Sequence, residues 1–97
     1  MSADWDFGTF GVAVGVSAVR LSAASVSCTR GVYVKAAPGN TGVVYIGAQS
    51  GVTAGTTDAT DGYPLSAGHE VYIPINDVNK VWAIGSAASQ KVFCLPV

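Results

Sequence analysis

Arg30-Gly31-Val32-Tyr33-Val34-Lys35-Ala36-Ala37, then Pro38-Gly39-Asn40-Thr41-Gly42, then Val43-Val44-Tyr45-Ile46-Gly47 is the stretch that decides the fold. In its first part Val32, Val34 and Ala36 alternate with Tyr33 and Lys35, the period of two that puts one side of a strand on a core and the other toward water. Val, Ile and Tyr suit a pleated surface because their branched or aromatic side chains pack on it. The middle part is rich in Gly and Asn, residues that tolerate the positive φ angles of tight turns, so residues 38–42 are expected to close a hairpin with residues 43–47 as its return strand.

The same pattern continues on either side. Residues 10–16 set Val12, Val14 and Val16 against Gly11, Ala13 and Gly15, a strand with one face of very small side chains, and a second strand is expected over 18–21. Downstream, 51–54 reads as a short strand, 55–61 as a polar loop and 62–65 as a loop returning apolar side chains to the core. Residues 70–75 alternate with Val71, Ile73 and Ile75 inward, and Pro74, which lacks an N–H, requires an edge or an outward position. Residues 76–80 turn the chain, and 81–84 and 90–95 supply the last strands. No segment keeps a helical period. Seven or eight short strands separated by frequent turns predict an all-β fold, a small antiparallel sandwich or barrel of jelly-roll-like form. The chain reads as one domain over 1–97, with 1–10 as an N-terminal arm.

Composition narrows the function. Of 97 residues, 49% are hydrophobic and only 11% charged, the formal net charge is −1 and the mean hydropathy is +0.41. Charged residues make up roughly a quarter of an ordinary soluble domain, so part of this surface is expected to be covered by a partner or by copies of the chain. Arg20, Arg30, Lys35, Lys80 and Lys91 are scattered, whereas nucleic-acid binding needs them clustered to displace counterions. The uncharged stretch before Arg20 is shorter than the about 20 residues of a spanning helix, and the one between Lys35 and Asp58 is broken by Pro38, Asn40 and repeated Gly. Asp4 and Asp6 stand where a signal peptide would carry basic residues. These features predict no membrane span and synthesis in a cytoplasm.

Chemistry-bearing residues are sparse. His69, the one histidine, sits at the start of a strand beside Glu70 and reads as a polar surface residue; no nucleophile-elbow motif accompanies it. Two distant cysteines and one histidine give no zinc spacing. Asp58 and Asp61 share a loop without the acidic density of a calcium site, and residues 39–42 lack the Lys-Ser or Lys-Thr of a phosphate loop. Neither a metal nor a cofactor is therefore expected, and the protein does not read as an enzyme. Cys28 and Cys94 read as buried small hydrophobes, the alternative being one bridge from the second strand to the last.

Aromatic residues are the stronger binding signal. Trp5, Phe7 and Phe10 lie together beside Asp4 and Asp6, and they suit either an arm that contacts a partner or a cover for the domain's own core. Tyr33, Tyr45, Tyr63, Tyr72 and Trp82 raise a second possibility, a sugar-stacking platform, although their spread over alternating strand positions favours structural roles.

From about residue 21 onward the chain resembles small β-sandwich or β-barrel virion proteins of tailed bacteriophages, above all capsid cement (decoration) proteins. The resemblance is carried by Cys28, Gly31-Val32-Tyr33-Val34-Lys35-Ala36, Pro38-Gly39-Asn40-Thr41-Gly42, Val44-Tyr45-Ile46-Gly47, Gly62-Tyr63-Pro64-Leu65-Ser66-Ala67-Gly68 and Lys80-Val81-Trp82-Ala83-Ile84-Gly85-Ser86-Ala87-Ala88. Most of these elements are turns. The resemblance implies a non-enzymatic protein on the outer surface of a phage head, a homotrimer bridging major capsid protein subunits, with no catalytic residues. A tail, neck or fibre-associated phage protein and a carbohydrate-binding module for host adsorption are the rival expectations. Residues 2–10 fall outside the resembling part, and their use as a capsid-binding arm is inferred from their aromatics alone.

Overall fold

The structure, a computed structural model, describes residues 9–55 and 59–97. Among these residues eight strands run in chain order as β1 (Phe10–Val14), β2 (Val19–Arg20), β3 (Val32–Ala36), β4 (Val44–Gly47), β5 (Tyr63–Leu65), β6 (Glu70–Ile73), β7 (Trp82–Gly85) and β8 (Gln90–Pro96), with a 3-10 turn at Val78–Lys80. They form two four-stranded antiparallel sheets. Sheet A has the order β1-β8-β3-β6 and sheet B the order β2-β7-β4-β5. Strand one thus pairs with eight, two with seven, three with six and four with five. This is one long antiparallel ribbon wrapped into two sheets, the jelly-roll form of the β-sandwich.

The core lies between the sheets and follows from the alternation. Val14, Val32, Val34, Ala36, Val92 and Cys94 enter it from sheet A, and Val44, Ile46, Leu65 and Ala83 from sheet B, with Leu21, Cys28, Val78 and Val81 at its margins. Each fully buried Val or Leu contributes about 1.5–3 kcal/mol of transfer free energy, so this cluster supplies the main drive for pairing strands so distant in sequence. Val71, Ile73 and Ile75 pack against it from the β6 side. Strand β6 is an edge of sheet A and Pro74 follows it directly. Pro64 likewise sits on β5, an edge of sheet B. Both prolines therefore occupy places where a missing N–H breaks no ladder.

Four expectations are corrected. Residues 38–42 do not close a hairpin, because β3 and β4 belong to different sheets. The inward faces of the two strands meet across the core rather than along a ladder, and neither Gly39, Asn40 nor Gly42 takes a positive φ. The crossover is instead held by β8: the Asn40 side-chain amide donates to the Lys91 carbonyl (2.8 Å) and accepts from the Lys91 N–H (2.9 Å), standing in for a strand residue. Second, residues 62–65 are not only a loop, since Tyr63–Leu65 pairs with β4 and buries Leu65. Third, the first strand stops at Val14, and Val16 lies exposed beyond it. There the Gly15 carbonyl accepts from the Gly85 N–H at 2.7 Å and turns the chain toward sheet B. In place of a strand at 51–54 there is one isolated bridge, Thr53 with Asp61.

Candidate functional site: the outer face of sheet A

Because Val32, Val34, Val92 and Cys94 face inward, the residues between them must face out. On β8 these are Lys91, Phe93 and Leu95, on β3 Tyr33 and Lys35, and on β6 Glu70 and Tyr72. The registers bring them together: Leu95 lies opposite Tyr33 and Tyr33 opposite Tyr72, while Phe93 lies opposite Lys35 and Lys35 opposite Glu70. Two parallel rows result, one apolar and aromatic, the other ending in a Lys/Glu pair. Tyr33, Tyr72 and Phe93 are 40%, 41% and 41% exposed, unusual for three large rings on one sheet face of a protein this small.

The rings are held by their neighbours. Tyr33 and Tyr72 are 4.9 Å apart between centroids and tilted by 46°, a cross-strand aromatic pair. The Tyr72 hydroxyl donates to the Arg30 carbonyl at 2.9 Å. Lys91 folds across Gly11, and its Nζ stands 4.8 Å from the centre of the Phe93 ring, a cation–π contact that orients both side chains. Between the rows an open groove of about 470 Å³ is lined by Thr9, Tyr33, Lys35, Glu70, Phe93 and Leu95. Its walls are mostly apolar, with one positive and one negative side chain at the rim. Such a surface offers stacking and burial to a ligand or partner.

The outer side of sheet B is less open. Trp82 is half-buried, with the Arg20 guanidinium 5.2 Å from the ring centre. Tyr45 is half-buried near Gly55, and Tyr63 is exposed at the sheet edge. The five aromatics singled out in the sequence therefore divide: Tyr33 and Tyr72 meet on the open face, and Tyr45, Tyr63 and Trp82 belong to the other sheet. Phe93 completes the open face. The sequence placed it in the last strand without assigning its face, and only the β8–β3 register brings it beside Tyr33.

The other sequence candidates are placed as follows. Phe10 begins β1 opposite Cys94 and packs against the core; Trp5 and Phe7 lie outside the described residues. His69 is exposed, with its carbonyl accepting from the Ala36 N–H. Asp61 accepts from the Thr53 hydroxyl at 2.8 Å, and Asp58 lies outside the described residues. Among the described residues no three His, Cys, Asp or Glu side chains gather to hold a metal, and no helix is long and apolar enough to cross a membrane. Both cysteines are free thiols buried in the protein. Burial pushes the Cys94 thiol up to about 12, and burial, then the Asp77 charge, raises that of Cys28, so both behave as small hydrophobes. Comparison of the chain with protein-family models, with curated proteins and with solved structures finds no match.

Proposed function

We propose that this chain is a non-enzymatic structural protein of a phage particle, a capsid cement protein that binds the outer surface of the head as a homotrimer and bridges neighbouring major capsid protein subunits. The observation that carries the reading is the open face of sheet A, where Tyr33, Tyr72 and Phe93 are presented side by side with Lys35 and Glu70 at the rim. Exposed rings anchored by cross-strand and cation–π contacts lose little freedom on docking, which is what makes aromatic residues efficient at protein interfaces. The jelly-roll form adds an analogy, since viral capsid proteins use it, as do lectins.

A cement protein needs no reaction. Packaged DNA strains the joints between capsid subunits, and a protein touching several subunits adds contact free energy that must be lost before the shell opens. Three linked copies make modest contacts effective together, because the second and third attachments are intramolecular. The test is to add the purified chain to expanded capsids of the source phage and determine where it sits and in what copy number. Regular occupancy of the shell with a higher rupture temperature is expected. Attachment confined to tails or fibres, or no attachment, overturns the reading.

The same three rings favour a second reading, carbohydrate binding, because several aromatics on one exposed face are what a sugar-stacking platform requires. Titration of surface glycans from the host is the check. Saturable binding abolished by Tyr33→Ala, together with no capsid occupancy, selects it over the cement reading.

A further inference from the structure

Sheet edges are where strands of another chain add, and folded proteins guard them with short strands, charges or proline. Of the four edges that the described residues form, three are guarded. Strand β2 is two residues long and carries Arg20, β5 carries Pro64, and β6 carries Glu70 and runs into Pro74. Strand β1 is five residues long with neither charge nor proline. Its free side follows from the neighbouring ladder. The Ala37 N–H donates to the Lys91 carbonyl (3.0 Å) and the Val97 N–H to the Gly31 carbonyl (2.8 Å). Both bonds keep the register of β3 with β8, so the odd-numbered residues of β8 bond to β3. Backbone groups in an antiparallel ladder alternate sides, so Gln90, Val92 and Cys94 turn theirs to β1, where they meet Val14, Val12 and Phe10. The N–H and C=O groups of Gly11 and Ala13 therefore point out of the sheet edge. Lys91 crosses Gly11 on the outer face, not along this edge.

The sequence of β1 is its own complement. Phe10-Gly11-Val12-Ala13-Val14 reads bulky, small, bulky, small, bulky in either direction. An antiparallel copy centred on Val12 sets Gly11 against Ala13 twice, two hydrogen-bonded pairs that use every free group of both residues. It also sets Phe10 against Val14 on the inner side, where Phe10 and Val12 are only half-buried against the core, and so continues the core across the join. On the outer side only Gly11 and Ala13 meet, so no charge opposes another. We infer that β1 pairs with β1 of a second copy about a two-fold axis, fusing the two A sheets into one. The inference goes beyond the cement reading and does not rest on it; in a homotrimer the contact joins one trimer to the next. Two outer faces of about 300 Å² each, the size of four short strands at sheet spacing, become one surface of about 600 Å², nearer the about 800 Å² per partner of a stable protein interface. The strand contact itself is small, so the association is concentration-dependent.

The test is sedimentation velocity of the full chain over rising concentration. The expected result is a mass climbing toward twice that of the smallest species, retained in Phe93→Glu and lost in Ala13→Pro. Proline at position 13 removes a donor that points away from β8, so the urea midpoint should stay near the parent's. Register is read separately by oxidising cysteine variants with copper phenanthroline. Val12→Cys should give a covalent dimer, because Val12 meets its own counterpart at a Cα separation of about 4.5 Å, within the span of a disulfide. Ala13→Cys, although more exposed, should not, because its counterpart lies two residues along the strand. Cys28 and Cys94 are buried and take no part. A mass constant with concentration overturns the inference, and so does an association that survives in folded Ala13→Pro or that Phe93→Glu abolishes. Should Ala13→Pro fail to fold, the cysteine variants decide: no link through Val12→Cys, or an equal link through Ala13→Cys, is the overturning result. Neither measurement needs particles, so failure here is distinct from failure of the cement reading.

Discussion

At the scale of single residues, Gln90 is the polar side chain on which the sheets' junction depends. It is 2% exposed yet fully used: its Oε1 accepts from the Gly42 N–H at 2.8 Å, and its Nε2 donates to the Ala88 carbonyl at 2.7 Å and to Thr41 Oγ1 at 3.1 Å. Replacing it by an apolar residue of similar size removes the acceptor from Gly42 and the donor from Ala88 together. Gln90→Leu is expected to lower the unfolding free energy by about 1–3 kcal/mol, the cost of stranded buried polar groups, seen as a lower urea midpoint with an unchanged slope. The thiols make a second prediction at this scale. With Cys94 pushed up to about 12 and Cys28 also raised, chiefly by burial, neither presents a thiolate near neutral pH. Ellman's reagent should find almost no reactive thiol in the native protein and two after unfolding; a native titre of one or a denatured titre of zero contradicts it.

At the scale of elements, Gly31 shows why β3 and β6 meet closely enough to pair Tyr33 with Tyr72. A side chain there would begin 2.2 Å from the Ile73 carbonyl oxygen and 2.9 Å from Pro74 Cα, backbone atoms that cannot step aside separately, with the Tyr72 hydroxyl also 2.9 Å away. Gly31→Ala should cost about 1–3 kcal/mol, as overpacking does, and should weaken the Tyr72 anchor on Arg30; a melting temperature equal to that of the parent sinks the argument. The 3-10 turn is held by Asp77, whose carboxylate accepts from the Ser25 hydroxyl and from the N–H groups of Asn79 (2.9 Å) and Val26 (3.0 Å). These bonds hold its carboxyl below the usual value of 3.8. A depressed folded-state value means the contribution is complete above 3.8 and fades as pH falls through the lower, folded value. Asp77→Ala should therefore lower the melting temperature at neutral pH, with the gap to the parent closing below pH 3.8. Such elements also mark how far sequence reasoning reaches. Alternation at 32–36 and 70–75 declared which side chains face in, because a core imposes it locally. The pairing of β1 with β8 and of β2 with β7 joins the two ends of the chain, and no local signal encodes it. Residues 38–42 misled because Gly and Asn serve a crossover between sheets as well as a tight hairpin; what distinguishes the two here is Asn40 bonding to Lys91, a partner 51 positions away.

At the scale of the whole molecule, the low charge and the aromatic face act together on solubility. With a formal net charge of −1 and a sequence pI near 5.5, little repulsion keeps copies apart in mildly acidic solution, and association is promoted where net charge vanishes. The rings of sheet A are where that association should begin, since they form the exposed cluster of large apolar side chains. Phe93→Glu tests the point with little risk to the fold. Phe93 is exposed and lies opposite Lys35 with Lys91 beside it, so a carboxylate finds two ammonium partners, and surface changes of this kind usually alter stability by less than about 0.5 kcal/mol. The variant should keep the parent's urea midpoint, show higher solubility near pH 5.5 and lose occupancy on capsids in the same preparation. A variant as stable and as poorly soluble as the parent would place the self-associating surface elsewhere. One that gains solubility yet still decorates capsids fully would separate the sticky face from the docking face and move the partner contact off sheet A.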